Sequence, residues 1–346
     1  MLFFSFFGCF TPSVSLKWET AETGGGDSDG EGLPDSESGD SEETGVAPDL
    51  GPCADGGWGA GSNLFVLVLP GGDDKTANGT RERPFGTVAA ALPFAAKLGP
   101  PSILLGPGEH RENIAVFPGY AGATIVGCGI GETILLGDPI TDAFYTNADE
   151  VRLADLSVLG GDNGITVEEG SLTVEGVRVY HSNARGMYVK SGGALVAAAS
   201  SIATTAAYGV VVEKGGTLHL NDSEIIDVVE TGIRAEEAIE LVLSGVTISG
   251  VATPNSTADP RDQRSDGVVF GGGVAATLSF DGLTVEGVSR AGLIADGVTV
   301  EVLRGTAITA GYAVEGVSLF VQGGGVVTDT GPDPYVTLAD ENRLSW

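Results

Sequence analysis

The chain has 346 residues, 42% of them apolar, enough to bury one large core with an appendage. Asp and Glu number 47 against 17 Lys and Arg, a formal charge of −30; this surplus repels nucleic acid and anionic membrane surfaces and excludes both as partners. Glycine is abundant at 55 residues but does not recur at every third position, which excludes a collagen-like rod.

Residues 1–18 open with "MLFFSFFGCF", an apolar run closed by Gly8-Cys9. This resembles the tail of a bacterial lipoprotein signal peptide, in which a small residue precedes the cysteine that is lipidated. The resemblance implies lipidation of Cys9, with the membrane reached through acyl chains and not through a spanning segment. A basic n-region is missing and the apolar run is short; a translation start upstream of Met1 is one repair, and a stray hydrophobic N-terminus is the alternative. Residues 19–57 follow as a spacer. Twelve acids and no Lys or Arg occur between Glu19 and Asp55, in stretches such as "GGGDSDGEGLPDSESGDSEETG". With almost no large apolar side chain, the segment reads as a disordered, self-repelling tether. The expected location is therefore extracellular, at the cell surface, as an outer-membrane lipoprotein. Cys53 falls in the spacer and Cys128 in the domain beyond it. Export permits a disulfide, but nothing in the sequence brings the two together, and two unpaired cysteines are the expectation.

Residues 58–346 form the domain. Asp73, Asp74 and Asn78 make an oxygen-rich turn and are the candidate calcium ligands, although a hard cation takes six or more oxygens. No other cofactor is implied. "RPFGTVAAALPFAAKLG" predicts a short alanine-rich helix from Thr87 to Lys97, with Pro93 a break or kink and one apolar side that plugs the end of the core.

From Val151 onward the chain repeats itself. The pattern Φ-x-Φ-x-x-Φ-x-Φ begins at Val151, Leu172, Leu195, Leu218, Leu241 and Leu278, in steps of 21, 23, 23, 23 and then 37 residues. A glycine-apolar-x-apolar segment recurs beside it at Gly164, Gly186, Gly209, Gly232, Gly267, Gly292 and Gly311. Apolar spacing of two makes these short strands, and a fixed period of this size means stacked units. The two-residue gap is a corner that resets which face points inward. Three strands and three corners per repeat describe an all-β, single-stranded parallel β-helix, a solenoid of about ten coils with a short N-terminal capping helix. The glycines are expected at corners needing φ > 0. The long step carries "VATPNSTADPRDQRSDG", which projects as a loop bearing Arg261 and Arg264. Leu319-Phe320-Val321 is the last recognisable strand, with Tyr335, Leu338 and Trp346 as closing plugs.

The segments "GGDDKTANGTRERPFGTVAAAL", "ILLGPGEHRENI" and "ATIVGCGIGETILLG" resemble the N-terminal signature of right-handed parallel β-helix proteins of the pectin-lyase-like superfamily. Pro84-Phe85-Gly86-Thr87-Val88 and Pro107 to Asn113 carry the likeness, with His110 where the family has tyrosine. The resemblance implies a right-handed coil and leaves activity open, since the superfamily holds lyases, hydrolases, esterases, epimerases, adhesins and inert surface proteins. The catalytic motifs of pectin methylesterases, polygalacturonases, pectate lyases and alginate epimerases are not found. Tyr180, His181, Arg185, Tyr188 and Lys190 fall within one coil. Arg185, His181 and Lys190 are the catalytic candidates. Tyr180, Tyr188, Arg261 and Arg264 are the ligand-binding candidates. Lys190, Glu213 and Glu236 occupy equivalent positions and are expected to stack as a charge ladder. The expected role is structural or glycan-contacting at the cell surface, with a polysaccharide as partner. The alternative is a lyase, hydrolase or epimerase acting on a uronate polymer.

Overall fold

The computed structural model describes Cys53, residues 65–251, 265–271, 277–288 and 292–296, and the strands Thr299–Val302, Ala307–Ala310, Leu319–Gln322 and Val326–Asp329. The anchor with Cys9, the spacer apart from Cys53, the loop with Arg261 and Arg264, the Gly311 copy of the repeat and the plugs Tyr335, Leu338 and Trp346 lie outside the described residues. Among the described residues, no helix is long and apolar enough to cross a membrane.

Each coil contributes three short strands, and every ladder among the described strands is parallel, formed with the coil before or after. One ribbon is a nine-stranded sheet running from Ile114–Val116 to Leu319–Gln322. The other two merge into an 18-stranded sheet, because Val151–Gly160 and Ser171–Tyr180 run unbroken through the corner between them. Among the described residues nine rungs stand in the first sheet, against about ten coils expected from the repeat. Val326–Asp329 pairs beyond Leu319–Gln322, so the solenoid continues past the last strand visible in the repeat pattern.

Register places like on like. Val151, Leu172, Leu195, Leu218, Leu241 and Leu278 are successive partners in one vertical file. Val158, Val179, Ile202, Ile225, Ile248 and Val285 form another. All twelve side chains are buried. Each isolated strand exposes one apolar edge; stacking rungs ~4.8 Å apart removes those edges into a continuous column.

The corners obey two rules. Residues with left-handed backbone stack in columns: Asp155, Gly176, Ala199, Asp222, Gly245 and Gly282 at one corner, Gly160, His181, Thr204, Asp227, Gly250 and Gly287 at the next. Here an Asp or a Gly takes the conformation at little cost. The repeat glycines follow the other rule, which corrects the expectation that they need positive φ. A Cβ on Gly209 would stand 2.5 Å from the Gly232 carbonyl oxygen and 2.6 Å from Ile225 Cγ2. They are glycine because the backbone passes too close to the core and to the next coil. At the first corner Ser200 and Ser223 replace the usual aliphatic residue, and each hydroxyl bonds backbone: Val177 N–H donates to Ser200 Oγ at 3.4 Å, Ser200 N–H to Ser223 Oγ at 3.2 Å.

The N-terminal end is closed by α1 (Val88–Ala95), whose Val88, Ala91, Leu92 and Ala95 join the core; Pro93 sits inside it, and the helix runs two residues past. Thr87 Oγ1 caps it by accepting from Ala90 N–H at 3.2 Å. The family-like motif explains itself as carpentry. Asp74 accepts from the Gly86 and Thr87 amides and the Thr87 hydroxyl, and Glu112 accepts from Val88 N–H at 2.8 Å. Asn113 donates to Thr141 Oγ1 and the Asp142 carbonyl. His110 is buried with Nε2 2.9 Å from the Gly106 carbonyl; burial pushes its pKa down, so the ring is neutral and donates from Nε2.

Cys53 and Cys128 are bonded, correcting the expectation of two unpaired thiols. Cys53 is buried against Leu67, Leu69 and Leu104, outward leucines of the first coils, with Phe65 and Cys128 beside them. Local composition cannot show this. The residue sits at the end of an acidic tract, and its partner is 75 positions away.

Two outcomes test this framework in chemical denaturation. Gly209→Ala should lose about 1–3 kcal/mol through overpacking, whereas Gly119→Ala, whose Cβ meets nothing within 4 Å, should be neutral. Cys128→Ser should lose about 4 kcal/mol, the loop-closure contribution of a bridge of this span. An unchanged midpoint in either case would remove the reason given for that residue.

Candidate functional site

The outer face of the nine-stranded sheet gathers the polar and aromatic side chains. In the strand Arg185–Val189, Met187 and Val189 point into the core and the bend at Gly186 leaves Arg185 and Tyr188 outside. Register extends both positions along the axis. Tyr145, Thr166, Tyr188, Val211 and Arg234 form one file; Asn163, Arg185, Tyr208 and Thr231 form the next. Glu168, Lys190 and Glu213 stand just past their strand ends and Glu236 closes its strand, at equivalent positions, so the expected ladder holds with Glu168 as one more member.

Lys190 Nζ donates to Glu168 Oε2 at 2.7 Å and lies 5.9 Å from the ring centroids of both Tyr145 and Tyr188. The Tyr145 hydroxyl donates to the same Glu168 oxygen at 3.2 Å, and the Tyr188 hydroxyl donates to Glu213. Arg185 stacks on Tyr188, with Cζ 4.3 Å from the ring centroid, and Nη1 donates to Asn163 Oδ1 at 3.1 Å. Asn163 in turn donates to Asp142 at 2.7 Å. Further along, Arg234 covers Tyr208 at 5.6 Å and pairs with Glu236. At the other end the exposed Phe117 ring is 6.2 Å from that of Tyr145. Two buried polar atoms in this strip meet no partner, Thr166 Oγ1 and Arg185 Nε.

The acid–base shifts on this face run away from neutrality. Burial, with Glu213 adding to it, pushes Tyr188 up to about 12. Burial likewise raises Tyr145, beside Glu168, and Tyr208, beside Glu230. The hydrogen bond from Lys190 holds Glu168 below the usual carboxylate range. These phenols stay protonated and Glu168 stays ionised, a set suited to stacking and hydrogen bonding; general acid–base chemistry instead wants groups poised near 7.

Arg185, Tyr188 and Lys190 are thus brought together. Tyr180 and His181 go elsewhere: Tyr180 ends a strand of the 18-stranded sheet and His181 is a left-handed corner residue. Their rings lie 5.4 Å apart; Arg178 covers Tyr180, and His181 Nδ1 is 3.1 Å from Thr204 Oγ1. Asp73 and Asn78 accept from amides and hydroxyls of their own turn, and Asp74 from the start of α1. Among the described residues no three His, Cys, Asp or Glu converge as a metal site. The sequence reading missed Tyr145, Thr166 and Asn163. Counting back 22 and then 21 residues from Tyr188 reaches Thr166 and Tyr145, but the coil is masked by Ala143 in the glycine position. It fits because Gly137 beside it has no side chain: a Cβ there would lie 2.4 Å from that of Ala143.

Residues 143–307 match the family model described as the right handed beta helix region. The fold is a right-handed parallel β-helix. Among solved structures, the chain resembles pectate lyase Pel9A with 15% identity over 78% of this chain and 79% of that one, TM-score 0.51. It also aligns with the catalytic unit of a GH87 α-1,3-glucanase from Streptomyces thermodiastaticus (16% identity, 83% and 71% covered, TM-score 0.38). A third is the A-module of the Azotobacter vinelandii mannuronan C-5 epimerase AlgE6 (14%, 79% and 89%, TM-score 0.32). At these identities the likeness concerns the fold. No curated protein sequence matches the chain.

Alkaline titration of phenolate absorbance checks the environment of Tyr188. The difference between the native protein and Tyr188→Phe should titrate with a midpoint of about 12. A midpoint near that of free tyrosine would show the hydroxyl to be solvated and unpaired.

Proposed function

We propose that this is an exported β-helix protein, displayed at the cell surface, that holds a glycan on the outer face of its nine-stranded sheet without converting it. The observation that carries this reading is the strip of Phe117, Tyr145 and Tyr188, with Lys190 equidistant from the two tyrosine rings and bonded to Glu168. Aromatic faces bind the C–H faces of sugars, and flanking charged groups receive the hydroxyls. The disulfide supports export, because such bonds persist in oxidising compartments. The acidic tract from Glu19 then serves as a tether between a lipid on Cys9 and the solenoid.

A second reading, a polysaccharide-processing enzyme, is favoured by Arg185. Its half-buried guanidinium meets an amide oxygen and an aromatic face, an arrangement suited to neutralising the carboxylate of a uronate. The fold likeness to a pectate lyase is compatible with it.

The two readings separate in one experiment on the full chain. Oligosaccharides of several classes are offered, and calorimetric binding is followed alongside ultraviolet absorbance of unsaturated product and new reducing ends. Holding without turnover predicts heat of binding, no product, and an affinity loss of about tenfold or more in Tyr188→Ala, the loss of one aromatic contact. Product that disappears in Arg185→Ala would replace the first reading with the second.

A further inference from the structure

We infer that the glycan held on this face is uncharged, and that it lies along the file from Tyr145 to Tyr188. This narrows the glycan-holding reading above and rests on it.

Charge supplies the first argument. Along the strip from Tyr145 to Tyr188, the cations Lys190 and Arg185 stand with the carboxylates Glu168, Glu213 and Asp142. Lys190 is committed to Glu168, and Arg185 is packed on Tyr188 with Asn163 as its acceptor. The next cation along the face, Arg234, is paired with Glu236. A uronate arriving here would meet carboxylates outnumbering the cations, on a chain whose formal charge is −30. Like-charge repulsion of that kind acts over a Debye length and is relieved by salt.

The second argument is the pattern of unmet hydrogen bonds. Each of the two carboxylates already accepts a phenol hydroxyl and keeps further lone pairs: Glu168 from Tyr145, Glu213 from Tyr188. Acceptors in excess call for donors, and sugar hydroxyls are donors whereas carboxylates are not. The two tyrosines are two rungs apart, about 9.6 Å, so a glycan lying along the file passes over both rings and brings its hydroxyls to Glu168 and Glu213 at the strand ends.

The test is calorimetry of the full chain with neutral gluco-, galacto- and manno-hexasaccharides and with oligogalacturonate and oligomannuronate, at about 20 and about 300 mM NaCl, a range that changes screening severalfold. At least one neutral series should bind with an affinity that salt changes less than about twofold. Uronates should bind about tenfold more weakly or worse, and should gain affinity as salt rises. Glu168→Gln with Glu213→Gln should strengthen uronate binding. Tighter binding of uronates than of every neutral sugar, weakened by salt, would overturn the inference while leaving the glycan-holding reading standing. Absence of binding in every series would overturn that reading itself, and this inference with it.

Discussion

Strand-to-strand hydrogen bonds in this molecule run along the stacking axis, from each coil to the coil before and after it. Register is therefore the governing constraint: a residue is answerable to the residues at the same phase one repeat away. That explains the leucine file from Leu172 to Leu278 and the isoleucine file beside it. It also explains why left-handed residues stack in columns. Once one coil turns sharply at a given phase, its neighbours can keep their ladder only by turning there too. The close approach at Gly164, Gly186, Gly209, Gly232 and Gly267 is the same constraint seen from the inside, since each would push a Cβ against the carbonyl of the next glycine or a core aliphatic.

Outside the core the same register has the opposite effect. It leaves composition free while fixing position, so chemistry accumulates in straight rows. Tyr145, Thr166 and Tyr188 are distant in sequence and consecutive in space. Alternating acid and base along Glu168, Lys190 and Glu213 offsets the repulsion that four stacked carboxylates would feel, and Lys190 is the member that makes this possible. The exposed ion pairs contribute little to stability by themselves. Their consequence is to hold the aromatic rings of the strip in a defined arrangement.

What the amino-acid sequence disclosed follows from this division. The interior was legible because a buried file tolerates only aliphatic residues, and the period-two spacing from Val151 to Val285 announces it. The grouping of Arg185, Tyr188 and Lys190 was legible because they share one strand and its end. Tyr145 was not, because Ala143 stands where later coils have glycine. The separation of Tyr180 and His181 from Arg185 was also hidden, since a left-handed corner at His181 turns the chain onto a different sheet within five residues. Pro107 to Asn113 looks like a functional signature, yet Glu112 and Asn113 are spent on capping a helix and pinning a turn. The bond between Cys53 and Cys128 depends on contacts 75 residues apart, beyond the reach of any local pattern.

That bond redirects mechanical load. Tension applied anywhere N-terminal to Cys53 passes through its sulfur to Cys128, and the main chain between them carries none of it. Helix α1, the strand Val66–Val68 and Ser102–Leu105 all lie within the bypassed stretch. A stacked solenoid pulled from one end would otherwise peel coil by coil, beginning with its cap. With the bridge closed, the pull enters below the cap at the loop holding Cys128, and the coil that seals the core is spared.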